Sequence, residues 1–205
     1  MVQSLMPNSF IVLDFETTGL SPNVGARTTE VAAVRVENGR MTDRFQSLMN
    51  PGVRIPSFIQ DLTGITNQMI SKAPKNAKVM KDLHQFIGKT PLVAHNASFD
   101  KKFLDAELEL LGLKSEQHMA CSLLVARRVY QNAPNHKLGT LVKYKNIEHD
   151  GTFHRALADA EMTARLWLCM KEDIADLIGL SEVTYDVMRL LANTPKKDVN
   201  KKWKP

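Results

Sequence analysis

The 205-residue sequence predicts an α/β domain built on a mixed β-sheet with helices on both faces. Three observations predict it. Three strand-like runs come first, and Asn38-Gly39 joins two of them. Asn-Gly between such runs is the strongest short hairpin signal, because both central residues of a type I′ turn need positive φ. Short apolar strands then alternate with amphipathic helices, an order that gives an α/β sheet with right-handed crossovers. Finally, the apolar run Phe10 to Leu13 passes directly into acidic residues, as a strand buried on both faces does at its end.

The opening stretch reads FIVLDFETTG, Phe10 to Gly19. Side chains alternate along a strand, so Asp14 and Glu16 share one face. Leu20 to Thr29 holds Pro22 and Gly25 and reads as a loop. Glu30 to Glu37 and Met41 to Met49 are the hairpin strands, and Asn50-Pro51-Gly52 ends the meander. Pro56 to Thr66 predicts a short helix followed by a loop at Gly64. Asn76 to Ile87 places Val79, Leu83, Phe86 and Ile87 at helical spacing, an amphipathic helix. Pro91 to Ala94 is a fourth strand, running into His95-Asn96-Ala97-Ser98-Phe99-Asp100. Asn96 or Ser98 is the expected cap of the next helix. That helix carries a stripe of Phe99, Phe103, Ala106 and Leu110 and closes at Gly112. Phe99 is read as core on this spacing. His118 to Ser122 is a fifth strand, Leu123 to Tyr130 and Lys137 to Tyr144 are helical, and His149 to Phe153 is a polar loop. His154 to Met170 is the clearest helix, with Leu157, Ala160, Ala164, Trp167 and Leu168 on one side, and Ser181 to Ala192 is the last.

The 43% apolar and 24% charged composition is that of an ordinary globular domain. No apolar run approaches the roughly 20 residues of a membrane span. The stretch MVQSLMPNSF has no basic region leading into a long apolar core, so no secretory leader is expected. Cys121 and Cys169 form no CxxC, which argues against a disulfide framework or a cysteine zinc site. These features read as cytoplasmic. Between Thr194 and Pro205 lie five lysines against Asp198, so the tail holds +4 of the net +5. Bulk charge of the remainder therefore says little about a polyanionic partner. A basic tail with Trp203 could track a phosphate backbone, but a disordered, solvated end is the expected reading.

Two carboxylates side by side at a buried strand end are costly unless one is protonated or a cation lies between them. Asp100, near a helix start, reads on position alone as an ordinary N-terminal acid. Asp159 sits among Ala156, Ala158 and Ala160, where small neighbours allow close approach. His154 precedes it by five residues, about 140° around a helix, so the histidine is assigned to the entering loop rather than to the same helical face.

In order, DFETTG, HNASFD and HRALADAEMTA resemble the three exonuclease motifs of the DEDD superfamily, histidine subclass. This is the family of the epsilon proofreading subunit of bacterial DNA polymerase III and of ribonuclease T. CSLLVARRVY is similar to the segment between the second and third motifs. The resemblance spans Ser9 to Met170 and implies a ribonuclease H-like fold, here a five-stranded mixed sheet. The implied division is an exonuclease domain over residues 1–178 and a C-terminal helix with a disordered basic tail over 179–205. It implies that Asp14, Glu16, Asp100 and Asp159 hold two divalent ions, Mg²⁺ or Mn²⁺, and that His154 is the general base. Hard cations favour such oxygen ligands, and two of them can hold the attacking and leaving oxygens of an in-line displacement. The implied reaction is 3′→5′ hydrolysis of single-stranded DNA or RNA ends, with DNA favoured. It further implies that Thr17 meets the terminal 3′-hydroxyl, that Thr18 also belongs to the substrate-binding set, and that Leu62, Thr63 and Ile65 belong to a loop over the terminal base. Thr63 departs from the histidine of epsilon-like relatives. An RNA-trimming enzyme and a non-catalytic nucleic-acid adaptor are the alternatives, and homodimerisation or polymerase association stays open.

Overall fold

A computed structural model describes residues 8–149, 151 and 154–202. Its core is a five-stranded sheet in the order β3-β2-β1-β4-β5, formed by β1 (Phe10–Thr17), β2 (Thr28–Glu37), β3 (Arg40–Leu48), β4 (Leu92–Ala94) and β5 (Met119–Cys121). β1 pairs antiparallel with β2 and parallel with β4. β2–β3 is antiparallel and β4–β5 parallel, so the sheet is mixed as expected. Asn38 and Gly39 both have positive φ (50° and 76°), the conformation that the hairpin signal requires.

The central strand β1 explains the two-sided core. Phe10 and Val12 face one cluster, which includes Trp167, while Ile11, Leu13 and Phe15 face a second. The second is covered by α3 (Asn76–Ile87) and α4 (Ser98–Glu109). The first lies beneath α5 (Ser122–Val129), α6 (Leu138–Tyr144), α7 (Ala156–Ile178) and α8 (Tyr185–Asn193). Helices thus pack on both faces. A satellite cluster of Ile55, Ile65 and Ile70 sits under α1 (Ser57–Thr63) and α2 (Asn67–Ser71). Among the described residues, no helix is long and apolar enough to cross a membrane.

Several expectations are revised. The short helix expected within Pro56–Thr66 is α1, which ends at Gly64 as expected, but a second helix, α2, follows, capped by the Thr66 hydroxyl that accepts from Met69 N (3.2 Å). Neither Asn96 nor Ser98 caps α4 through its side chain. Asn96 is left-handed (φ 67°), and its backbone carbonyl accepts from Phe99 N instead. The long helix starts two residues later than expected, because His154 is itself left-handed (φ 59°). It then runs to Ile178, where Gly179 terminates it in the left-handed region (φ 66°). The basic C-terminal segment is not a disordered tail over Lys196–Lys202, which forms α9 with Val199 buried in the main cluster. Burial of that one apolar residue is what the high lysine content conceals. Trp203, and most of the expected loop at 150–153, lie outside the described residues.

A buried polar hub docks α3 and α4 on the sheet. Glu107 of α4 takes two hydrogen bonds from the Arg27 guanidinium at 2.9 Å, and others from Thr28 and Asn76. Burial alone would raise its pKa, but Arg27 and Thr28 hold the carboxylate below the usual range.

Trp167, fully buried between Phe10 and Tyr185 (centroids 6.1 and 6.3 Å), is the largest side chain of the core. Trp167→Ala is expected to lower the unfolding free energy by about 3–5 kcal/mol. Urea denaturation followed by circular dichroism checks this; a midpoint close to wild type would contradict it.

Candidate active site

The site is built where β1 and β4 end, the position at which α/β sheets with a strand-order reversal bind ligands. Asp14 and Glu16 extend on the same face of β1 as Phe10 and Val12, toward α7. Glu16 lies directly opposite Glu30 of β2. The register then slips, pairing Thr17 with Thr28 and leaving Thr29 as an extra residue, an irregularity of the kind that re-aims side chains beside functional sites. Asp100 enters from the first turn of α4, and its Oδ1 accepts a hydrogen bond from Phe15 N at 3.2 Å. Asp159 enters from the first turn of α7, and its Oδ2 accepts from His154 N at 3.0 Å.

A cleft of ≈ 630 Å³ is lined by Asp14, Glu16, Asp100, His154 and Asp159, so the five expected catalytic residues meet in one space. Ligand atoms of Glu16, His154 and Asp159 all lie within 4.8 Å of one another. His154 is exposed at the loop position assigned from its spacing. Among the described residues, none of the four carboxylates is paired with a lysine or arginine. Burial, and then the neighbouring carboxylates, push Asp14 well above the usual range. Burial with Asp159, Glu30 and Asp100 raises Glu16 to about 8, Arg155 opposing the rise. Burial raises Asp100 to about 8 against the Phe15 N–H, and Asp159 also rises through burial.

Glu30 follows the opposite course. It is fully buried but holds the Arg155 guanidinium through two bonds (2.9 and 3.1 Å), and it also accepts from Ala156 N and Gln46 Nε2. These contacts outweigh burial and keep it ionised, below the ordinary carboxylate pKa. The sequence reading missed Glu30 and Arg155. An acid heading the apolar run VAAV, and an arginine beside His154, were the available signals.

The expected substrate-side residues fare differently, and none of the five lines the cleft. Thr17 and Thr18 are buried and order the loop after β1: the Thr17 hydroxyl donates to Gly19 O (2.7 Å) and Thr18 Oγ accepts from Arg27 N (3.0 Å). Leu62 is exposed. Thr63 and Ile65 do not present their side chains to the cleft. Both are buried, the Thr63 hydroxyl is consumed by Ile59 O and Ile65 N, and Ile65 fills the satellite cluster. Phe99, expected to be core, does pack on Phe103 (5.0 Å) but also lines the cleft.

Further lining residues went unread: His95, Asn96, and Lys137 to Thr140 with Lys143 around α6. His95 Nε2 faces the His136 carbonyl at 3.0 Å, so it must donate there and leave Nδ1 to accept from Ser122 Oγ (2.8 Å). Burial depresses its pKa to about 4. The neutral ring thereby ties the loop before α6 to the end of β4.

A model of the exonuclease family, of the ribonuclease T type, matches residues 11–167. The chain belongs to this exonuclease family. It is 36% identical over 185 residues to the PolC-type DNA polymerase III of Caldanaerobacter subterraneus subsp. tengcongensis, covering 89% of the chain and 13% of that protein. It is 37% identical over 172 residues to the 3′-5′ exonuclease DinG of Bacillus subtilis, covering 82% and 18%. The chain thus spans less than a fifth of the length of these relatives. The fold is that of the 3′hExo nuclease domain, a DEDDh family member bound to rAMP (TM-score 0.72, 22% identity, 88% of this chain, 97% of that one). It is also that of E. coli Exonuclease I in complex with a dT13 oligonucleotide (0.74, 20%, 84% and 43%). The ribonuclease H-like architecture expected from the motifs is therefore present in this family member, and exonucleases of this fold generally use divalent metal ions. The cluster fits such ions: four hard oxygen donors, mutually repelling and without a basic partner, are what a divalent cation neutralises.

Raised carboxylate pKa values carry a stability consequence. Without divalent cations, the folded state holds protons that the unfolded chain releases from about 3.8–4.5 upward. The contribution of these two groups should be full below that range and fall as pH rises toward about 8, whereas the paired Glu30 and Glu107, with lowered pKa values, lose theirs at acid pH. Thermal melts in EDTA across this window should show the decline, whereas excess Mg²⁺ or Mn²⁺ should raise the melting temperature and flatten it. Asp14→Asn should melt higher than wild type in EDTA. Curves unaffected by pH, cation and substitution would contradict a crowded site.

Proposed function

We propose that this chain is a metal-dependent 3′→5′ exonuclease that hydrolyses the terminal phosphodiester bond of single-stranded nucleic acid and releases 5′-mononucleotides. The observation that carries this reading is the meeting of Asp14, Glu16, Asp100, His154 and Asp159 in one cleft, three of them with ligand atoms inside 4.8 Å. Asp14, Glu16, Asp100 and Asp159 would hold the ions. Two bound divalent ions, Mg²⁺ or Mn²⁺, supply Lewis-acid stabilisation of the entering and departing oxygens.

The protein's own part is proton handling and alignment. His154 takes a proton from the water that attacks phosphorus and passes it to solvent, to which it is exposed. The P–O3′ bond breaks, and the departing 3′-oxygen gains its proton from water. Asp159, by accepting the His154 N–H, keeps that histidine at the cleft. Lys137 and Lys143, exposed at the cleft, suit the phosphates of the incoming strand.

DNA is the favoured substrate, because relatives above one-third identity are a DNA polymerase III and DinG. A 3′-exonuclease of the same fold that recognises the 3′ end of a histone mRNA stem-loop shares 21% identity, and RNA is the second arm of the test. PolC-type relatives also make association with a polymerase a reasonable partnership. A non-catalytic adaptor would have no need of the complete acidic set.

Asp14→Ala and Asp159→Ala should each abolish release of mononucleotides from a labelled single strand with Mn²⁺, while remaining folded by circular dichroism. Turnover retained by either variant, or wild-type turnover that persists in EDTA, would overturn the reading. Running single-stranded DNA, duplex DNA and short RNA in parallel decides the substrate. Lys137→Ala and Lys143→Ala should each weaken binding irrespective of sequence and lower the slope of log K against log salt by about 0.7. An unchanged slope would remove these lysines from the phosphate path.

A further inference from the structure

We infer that Glu30 and Arg155 are a positioning pair that sets His154 for proton transfer, an inference that rests on the proposed exonuclease reading. His154 stands between two anchors in the chain. On one side its own N–H is bound by Asp159 Oδ2 (3.0 Å), and on the other its neighbour Arg155 forks onto Glu30. Glu30 also accepts the Ala156 N–H at 3.1 Å, so one buried carboxylate both caps the start of α7 and grips the residue after the histidine.

The need for such an anchor is visible in the backbone. His154 has φ 59°, a left-handed conformation that is unfavourable for a residue with a Cβ and persists only where its surroundings impose it. Arg155 then returns to extended geometry (φ −131°, ψ 122°) before α7 begins. A chain reversal of this kind, at an exposed residue, would relax if the following residue were free. The bidentate fork supplies both distance and orientation, which a point-charge ammonium does not.

The pairing also explains why Glu30, directly across the ladder from Glu16, stays out of the acidic cluster. Like charges facing each other across a ladder repel. The guanidinium engages Glu30 through both oxygens and leaves Glu16 turned to the cleft.

Arg155→Lys keeps the charge beside Glu16 and removes the fork. Wild type, Arg155→Lys, His154→Ala and the double variant of the full chain are compared on labelled single-stranded DNA with Mn²⁺. The single Arg155→Lys change should lower kcat by about 10²-fold, the penalty of displacing a reacting group by about an ångström. KM should hardly move. In the His154→Ala background the same substitution should change kcat by less than about twofold, because its effect runs through the missing imidazole. Amide exchange of metal-free protein gives a readout independent of turnover: the His154 N–H should lose protection in Arg155→Lys while the amides of β1 keep theirs. If Arg155→Lys does not fold, Glu30→Gln, which preserves shape and an acceptor for Ala156 N–H, takes its place with the same expectations. Wild-type kcat and protection in the folded variant, or full multiplication of the two effects, would overturn the inference while leaving the exonuclease reading intact. A wild-type protein inactive with Mn²⁺ would instead fail that reading and, with it, this inference.

Discussion

The structure turns on the electrostatic crowding at the end of β1. Asp14 and Glu16 share one face of a strand whose positions Phe10 to Leu13 and Phe15 are apolar and buried, and Asp100, Asp159 and Glu30 come in around them. Two responses to burying an acid stand a few ångströms apart. Glu30 is matched by a guanidinium, the Ala156 N–H and the Gln46 side-chain amide, which hold its pKa down; the other four lack any such cation among the described residues, and burial raises theirs. The first is how a fold tolerates a buried acid. The second leaves an unmet demand for positive charge, which a divalent ion meets.

The same division organises the scaffold. Glu107 with Arg27, like Glu30 with Arg155, ties a helix to the start of β2 by a buried fork. These two locks fix α4 and α7, the helices that deliver Asp100 and Asp159 through their first turns. Placing an acid in the first turn is itself favourable, since the helix dipole supports negative charge there. Neutral His95, hydrogen-bonded at both nitrogens, holds the loop that brings α6 to the cleft. The acids of the cleft are thus held by paired charges and closed hydrogen-bond networks one step removed from it.

Much of this was legible in the chain. Asn38-Gly39 announced its hairpin because only residues tolerant of positive φ can make that turn. Asp14, Glu16, Asp100, His154 and Asp159 were found together through the family resemblance that their ordered motifs carry. Legibility failed where a residue's partner is distant in sequence. Glu30 and Arg155 lie 125 positions apart, and neither carries a local sign of the other. Thr63 and Ile65 looked available to substrate, but their burial depends on a satellite core closed by Ile55 and Ile70. A lysine-rich terminus looked disordered, yet Val199 gives α9 one buried anchor.

The sequence by itself determined the strand period that puts Asp14 and Glu16 on one face, the hairpin and the helical stripes, because these depend on near neighbours along the chain; the acidic motifs, far apart in sequence, were legible through their resemblance to a family. Only the tertiary structure decided which acids have their pKa raised and which have it lowered. Solvation and pairing are set by what packs beside a carboxylate, and for Glu30 and Glu16, face to face across one ladder, the difference is the arginine fork, with the Ala156 and Gln46 donors, that only Glu30 receives from residues distant in the chain.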